Sequence, residues 1–185
     1  MTPAGVVLTG GASRRMGADK ALVEVDGVAM AVRVASALAE GGCDPVVCQG
    51  GDAQSLAALG MTVLADTHPG GGPVAGILDA LSAADSEDVV VCACDLPWMD
   101  AATVTKLIRF AVESPEADVV VACDAAGPHL AGVWRSGSRR RLEALVAAGI
   151  QSYRGALERL NTVRVDVPPS VVANVNSPGD LRRHR

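Results

Sequence analysis

Short apolar runs alternate along this chain with segments whose apolar residues recur every three or four positions. Val6–Leu8, Val46–Cys48, Thr62–Leu64, Asp88–Cys94, Asp118–Cys123, Leu130–Trp134 and Val163–Val167 read as strands. Asp88–Cys94 lacks polar alternation, which predicts a strand buried on both faces. Between the runs lie helical stripes. Ala31, Val34, Ala35 and Leu38 make one, stopped by Gly41 and Gly42. Others are predicted over Ala53–Leu59, Ala75–Ala84, Arg139–Ala148 and Tyr153–Leu160. Asp100 caps a further helix with Val104, Leu107, Ile108, Ala111 and Val112 on one face. Strands alternating with helices predict an α/β, Rossmann-like three-layer fold around a mostly parallel sheet. No linker, repeat or low-complexity tract interrupts the pattern, so residues 1–185 read as a single domain. The stretch Ala125–Pro169 is the least regular and is expected at the sheet edge and in the second half of the site.

Composition narrows the picture. Hydrophobic residues make up 49% of the chain and aromatic ones only 2%, so the core must be aliphatic. The net charge of -5 argues against nucleic acid or anionic lipid as partner. No apolar run is long enough to span a membrane, and the N-terminus lacks a basic signal-peptide region. Five cysteines without a CxxC pair read as free thiols in a reducing cytoplasm. Cys92 and Cys94 share a strand face, which leaves a metal or redox pair as the alternative. The three histidines lie far apart and lack zinc-ligand spacing.

The chemistry concentrates after the first strand, in GVVLTGGASRRMGADKALV, Gly5 to Val23. Gly10 and Gly11 let a ligand approach the backbone. Arg14, Arg15 and Lys20 supply fixed cations, and a triphosphate needs both amides and cations. The spacing Gly-Gly-x-x-x-x-Met-Gly-x-Asp-Lys is neither GxGxxG nor the P-loop. Asp95 leaves the end of a buried strand, followed by Pro97, which delays the next helix. In open α/β sheets, ligands bind beyond the carboxyl ends of strands. The residues alone allow Asp95 to be a magnesium ligand or a turn cap. Lys20 is open between a phosphate contact and a solvated surface lysine. Asp66 is open between a ligand contact and a loop-start aspartate. Arg139–Arg141 reads as the exposed side of a helix.

LTGGASRRMGADKALVEVDG resembles the signature loop of the molybdenum cofactor nucleotidyltransferases. GGGPVAGI, VVVCACDLPWM and NVNSPGDL match the family in the same order, so the resemblance spans nearly the whole chain. The double glycine and Asn-Val-Asn favour the guanylyl branch over the cytidylyl one. The resemblance implies transfer of GMP from GTP to molybdenum cofactor (molybdopterin). It implies that Lys20, Arg15 and Asp95 are catalytic and that Asp95 binds Mg2+. It implies nucleotide contacts at Leu8, Thr9, Gly10, Gly11, Lys20, Asp66 and Asp95, and acceptor contacts at Asn174 and Asn176. From residues alone, those asparagines could equally cap the last helical turn. The resemblance further implies transient contact with other proteins of cofactor biosynthesis. Thr9 and Ser177 depart from the commoner alanine and threonine of relatives, and Cys48 falls where some have an asparagine. Rival readings are a cytidylyl- or sugar-phosphate nucleotidyltransferase, a non-catalytic nucleotide-binding module, and a serine hydrolase at Ser13. The last lacks the second glycine of GxSxG.

Overall fold

The computed structural model describes residues 2–10 and 19–181. Strand β1 (Ala4–Leu8) is buried at every position. A short hairpin follows, β2 (Glu24–Val25) and β3 (Val28–Ala29), leading into helix α1 (Met30–Glu40). Then come β4 (Val46–Gln49), α2 (Ala53–Ala58), β5 (Val63–Leu64), α3 (Gly72–Ala83) and β6 (Asp88–Ala93). The second half contains α4 (Ala101–Glu113), β7 (Val119–Asp124), β8 (Gly127–Arg135), α5 (Arg139–Ala147), α6 (Tyr153–Leu157), β9 (Thr162–Asp166) and α7 (Pro178–Leu181).

Seven strands form the main sheet in the order β5-β4-β1-β6-β8-β7-β9. All pairings are parallel except those of β8, which lies antiparallel to both neighbours. The expected α/β three-layer architecture is therefore what the chain forms. Side chains of successive strand residues point to opposite faces, and the core divides accordingly. Val7, Val90, Cys92 and Val120 pack under α1, α2 and α4 on one face. Val6, Leu8, Val89, Val91 and Val121 pack under α3, α5 and α6 on the other. This is why β1 and β6 carry no polar alternation.

The chain runs from β1 outward to β4 and β5, then returns to place β6 on the other side of β1. From β1 the chain proceeds to strands on one side and from β6 to strands on the other, and ligands in such sheets bind at the carboxyl ends where the order reverses in this way.

Several boundaries differ from the sequence pattern. Helix α3 starts at Gly72 rather than Ala75, because Pro73 is tolerated in a first turn where its missing N–H costs nothing. Val112 was expected on the buried face of α4 but is 69% exposed, one step beyond the stripe that meets the sheet. Helix α6 ends at Leu157, three residues early, and β9 is Thr162–Asp166. The hairpin β2–β3 was missed. Its turn places Asp26 at φ 52° and Gly27 at φ 79°, the left-handed pair that an Asp-Gly turn supplies. The Asp-Gly flanked by Val25 and Val28 was the available signal.

Candidate active site

Two loops and a C-terminal segment meet at the crevice between β1 and β6. Asp19 caps a single 3-10 turn, Lys20–Leu22, accepting a hydrogen bond from Ala21 N at 3.0 Å. Its other oxygen accepts from Asp52 N at 3.2 Å, tying the loop to the start of α2. Ala21 is fully buried, so the turn is pinned from below and Lys20 is held at the rim.

Asp95 follows β6 in the turn that leads to Leu96 and Met99, both buried. Its backbone carbonyl accepts from Val175 N at 2.9 Å. Val175 is fully buried with Val25 and Met30, in a small cluster that also takes Val23 and Trp98. Alternation then decides the rest. With Val175 turned inward, its neighbours Asn174 and Asn176 turn outward over Asp95 and Lys20. Asn174 Nδ2 donates to Asp95 Oδ1 at 3.1 Å. Lys20 Nζ donates to Asp95 Oδ2 at 3.0 Å and to Asn176 Oδ1 at 2.7 Å. The ion pair is partly screened, with side-chain exposures of 14% for Lys20 and 21% for Asp95. Four predicted residues, drawn from three distant segments, thus form one polar cluster.

The alternative that the asparagines cap the last helix is not what their side chains do. Asp180 serves that end instead, accepting from Asn176 N at 3.0 Å, Ser177 N at 2.8 Å and Ser177 Oγ at 2.9 Å. The hairpin is locked beside the site by Arg33, which donates to Pro97 O at 3.0 Å and Val25 O at 3.3 Å.

The floor of the crevice is backbone. Leu8 O accepts from Cys94 N at 3.1 Å. Thr9 N and Gly10 N both donate to Gln49 O, at 3.1 and 3.0 Å. Thr9 Oγ1 donates to Gly50 O at 2.7 Å. The amides of Thr9 and Gly10 are therefore satisfied within the fold, because β4 extends alongside them. Gly50 suits its place: at φ +74° an L side chain is strained, and a Cβ there would stand 3.0 Å from Gly10 Cα. Gly10 is not so constrained, since a Cβ would come no nearer than 3.6 Å to any described atom.

Asp66 lies on the other rim, after β5, and is exposed. Its Oδ1 accepts from His68 N at 3.0 Å, an Asx-type turn. Beneath it sits a group that sequence reasoning missed. Asp79 on α3, with a side chain 4% exposed, accepts from Thr67 N at 2.9 Å, Thr67 Oγ1 at 2.5 Å and His68 Nδ1 at 2.7 Å. Burial pushes the Asp79 carboxyl up, but the bonds from Thr67 and His68 outweigh it and hold it below the ordinary carboxylate value. The signal was an aspartate inside the otherwise apolar stripe Val74-Ala75-Ile77-Leu78-Leu81.

Arg15 and Gly11 lie outside the described residues, as does Arg14. Arg139 pairs with Glu143 at 3.3 Å, and Arg141 pairs with Asp118 at 2.5 Å, so those two cations are spent on the surface of α5. All five cysteines are buried free thiols. Burial pushes Cys43 and Cys94 up to about 12 and Cys48 to about 11, which makes them inert as nucleophiles at neutral pH. Among the described residues, no three His, Cys, Asp or Glu side chains gather as a metal cluster, and no helix is long and apolar enough to cross a membrane.

Known proteins share this arrangement of chain. The family model for the MobA-like NTP transferase domain matches residues 5–164. The chain is 36% identical over 183 residues to the probable molybdenum cofactor guanylyltransferase of Mycobacterium marinum, covering 96% of this chain and 90% of that one. It is 33% identical over 187 residues to the protein of that name from Mycobacterium avium, covering 98% and 94%. Among solved structures it is similar to molybdopterin-guanine dinucleotide biosynthesis protein A from Archaeoglobus fulgidus. That match has 26% identity and a TM-score of 0.80 over 98% of this chain and 96% of the other. A sheet with its polar cluster at the β1–β6 crevice and a family match over most of the chain lead to one conclusion: this chain belongs to the MobA-like NTP transferases and is a nucleotidyltransferase.

Proposed function

We propose that the chain transfers GMP from GTP to the terminal phosphate of molybdenum cofactor, giving the guanine dinucleotide and pyrophosphate. The observation that carries this reading is the convergence of Lys20, Asp95, Asn174 and Asn176 at one crevice. The names of the relatives point to guanine and to this acceptor.

The chemistry follows from the cluster. An oxygen of the acceptor phosphate attacks the α-phosphorus of GTP in line. The new P–O bond forms as the bond to the β-phosphate oxygen breaks, and pyrophosphate carries the electron pair away. The nucleophile is already ionised, so no side-chain base is required. Lys20 neutralises the growing charge on the outer phosphates. To do so, Nζ leaves Asp95 and Asn176, whose oxygens are then free for other partners. Asn174 and Asn176 each offer a donor and an acceptor at the rim, the chemistry that a pterin edge or its phosphate needs.

Asp95 fits Mg2+. It is a hard oxygen donor at the end of a strand, partly exposed, and magnesium commonly takes one or two protein carboxylates with phosphate oxygens and water. When bound there, the ion would supply charge neutralisation and orientation for the phosphates.

The test is product analysis with GTP, molybdenum cofactor and magnesium chloride. Pyrophosphate and the guanine dinucleotide should appear together, in equal amounts, and only when both substrates are present. Tight GTP binding without either product would reduce the chain to a binding module and overturn the proposal.

A further inference from the structure

Asp79 stands out because a buried carboxylate is costly in an aliphatic core unless its partners satisfy it. It sits among Val74, Ile77, Leu78 and Leu81, where a leucine would serve packing equally well. Its four hydrogen bonds all run toward one place. Thr67 N, Thr67 Oγ1 and His68 Nδ1 come from the loop after β5. Gln49 Nε2, at 3.4 Å, comes from the end of β4.

The same Gln49 amide donates to Ala65 O at 3.0 Å, and its backbone carbonyl holds Thr9 and Gly10. Its Oε1 has no hydrogen-bond partner among the described residues. An unmet buried acceptor is a cost that a nonpolar residue would avoid. It is tolerated here beside donors that fix two loops at once. Gly50 N donates to Leu64 O at 3.2 Å, which ties the end of β4 to the end of β5, two residues before Asp66. Asp79 is thus the common anchor for the crevice floor and for the rim that carries Asp66.

We infer that Asp79 is a positioning residue for nucleotide binding: through Thr67 and His68 it fixes the loop that presents Asp66, and through Gln49 it fixes that loop against Gly10. The inference rests on the reading that the nucleotide occupies this crevice. Asp79 touches no reacting atom, and its action is on affinity for the nucleoside half. Because an ionised carboxylate only accepts, His68 Nδ1 is the donor in this pair.

The test compares Asp79→Asn, Thr67→Val and Thr67→Ser, with Leu142→Ala, a fully buried position on α5, as a destabilised control in the core. GMP binding is measured by calorimetry, and KM for GTP and kcat are measured in the transfer assay. Asp79→Asn should raise the GMP Kd and the KM by about tenfold while kcat changes less than about twofold, since bonds to a charged acceptor are the stronger class. Thr67→Val should show the same split at about threefold to fivefold, and Thr67→Ser should restore affinity because it keeps the hydroxyl. Leu142→Ala should lower the melting temperature without moving Kd. If Asp79→Asn does not fold, the valine and serine pair decides alone. A GMP Kd within twofold of wild type in Asp79→Asn and Thr67→Val would overturn the inference and leave the proposed function standing. Absence of GMP binding by the wild-type chain would overturn both.

Discussion

Two acidic centres sit at the carboxyl end of the same sheet, and they are built in opposite ways. Asp95 is partly exposed, and its two oxygens are held by Lys20 and Asn174, side chains on the rim. Asp79 is almost wholly buried, and three of its bonds come from a single loop. A partly exposed ion pair is weakly stabilising and easily exchanged, because water screens it and can replace either partner. A buried, multiply bonded carboxylate is expensive to disturb. The first centre can give up its partners to a substrate. The second can only hold a shape. On the proposed function, chemistry falls to Asp95 and Lys20, and architecture to Asp79.

The sharpest way to break this division is Asp95→Asn. Turnover should fall by about 10²-fold or more, the usual cost of one well-placed charge-stabilising group. The melting temperature should stay close to wild type, since the pair is partly exposed and only weakly stabilising. A steady-state assay at limiting magnesium with a parallel thermal melt checks both halves. A large melting loss with turnover retained would place Asp95 among the structural groups.

Lys20→Ala comes next. It should weaken GTP more than GMP, by about tenfold in the ratio of the two dissociation constants, because the proposed partners are the outer phosphates. Equal weakening of both ligands would move the lysine elsewhere in the site.

Asp79→Asn should do the reverse in stability. Loss of bonds to a charged acceptor is expected to cost about 1.5–3 kcal/mol in denaturant unfolding. The pH dependence has a definite sign. The folded carboxyl lies below its unfolded value, so its contribution is fully present above the ordinary aspartate range and is lost as pH falls through the folded value. The gap in stability between wild type and Asp79→Asn should therefore close on acidification below about pH 4. A gap that widened toward acid would contradict the assignment.

Gly10→Ala gives the finest probe. The described residues leave room for a methyl group there, so the melting temperature should hardly move. Any loss of GMP affinity, expected at about threefold to tenfold, then reports a ligand lying against the glycine. The same substitution at Gly50 should fail for the fold itself, at φ +74° with Gly10 Cα in the way.

The same contrast explains what could be read before the structure. The strands and the Lys20 and Asp95 loops were legible because apolar runs ending in glycine or aspartate mark sheet edges directly. The convergence of Asn174 and Asn176 on that cluster was expected only through the family resemblance. Local pattern cannot show that Val175 turns into the Val25–Met30 cluster and so aims both neighbours outward. Asp79 was missed because it reads as one polar position in an apolar stripe, and its partners lie 11 to 30 residues away. That Gln49 O takes the amides of Thr9 and Gly10 was not legible for a related reason. Whether β4 runs far enough to satisfy them is a property of register, not of composition.

The account as a whole rests on guanine as the base that is transferred. A site whose buried polar groups match one base can reject another by about 10⁴-fold. The most direct measurement is kcat/KM for GTP, CTP, ATP and UTP, each in transfer to molybdenum cofactor under identical conditions. The account predicts GTP ahead of the other three by at least about 10²-fold. A preference for CTP would contradict it and make the chain a cytidylyltransferase on the same frame.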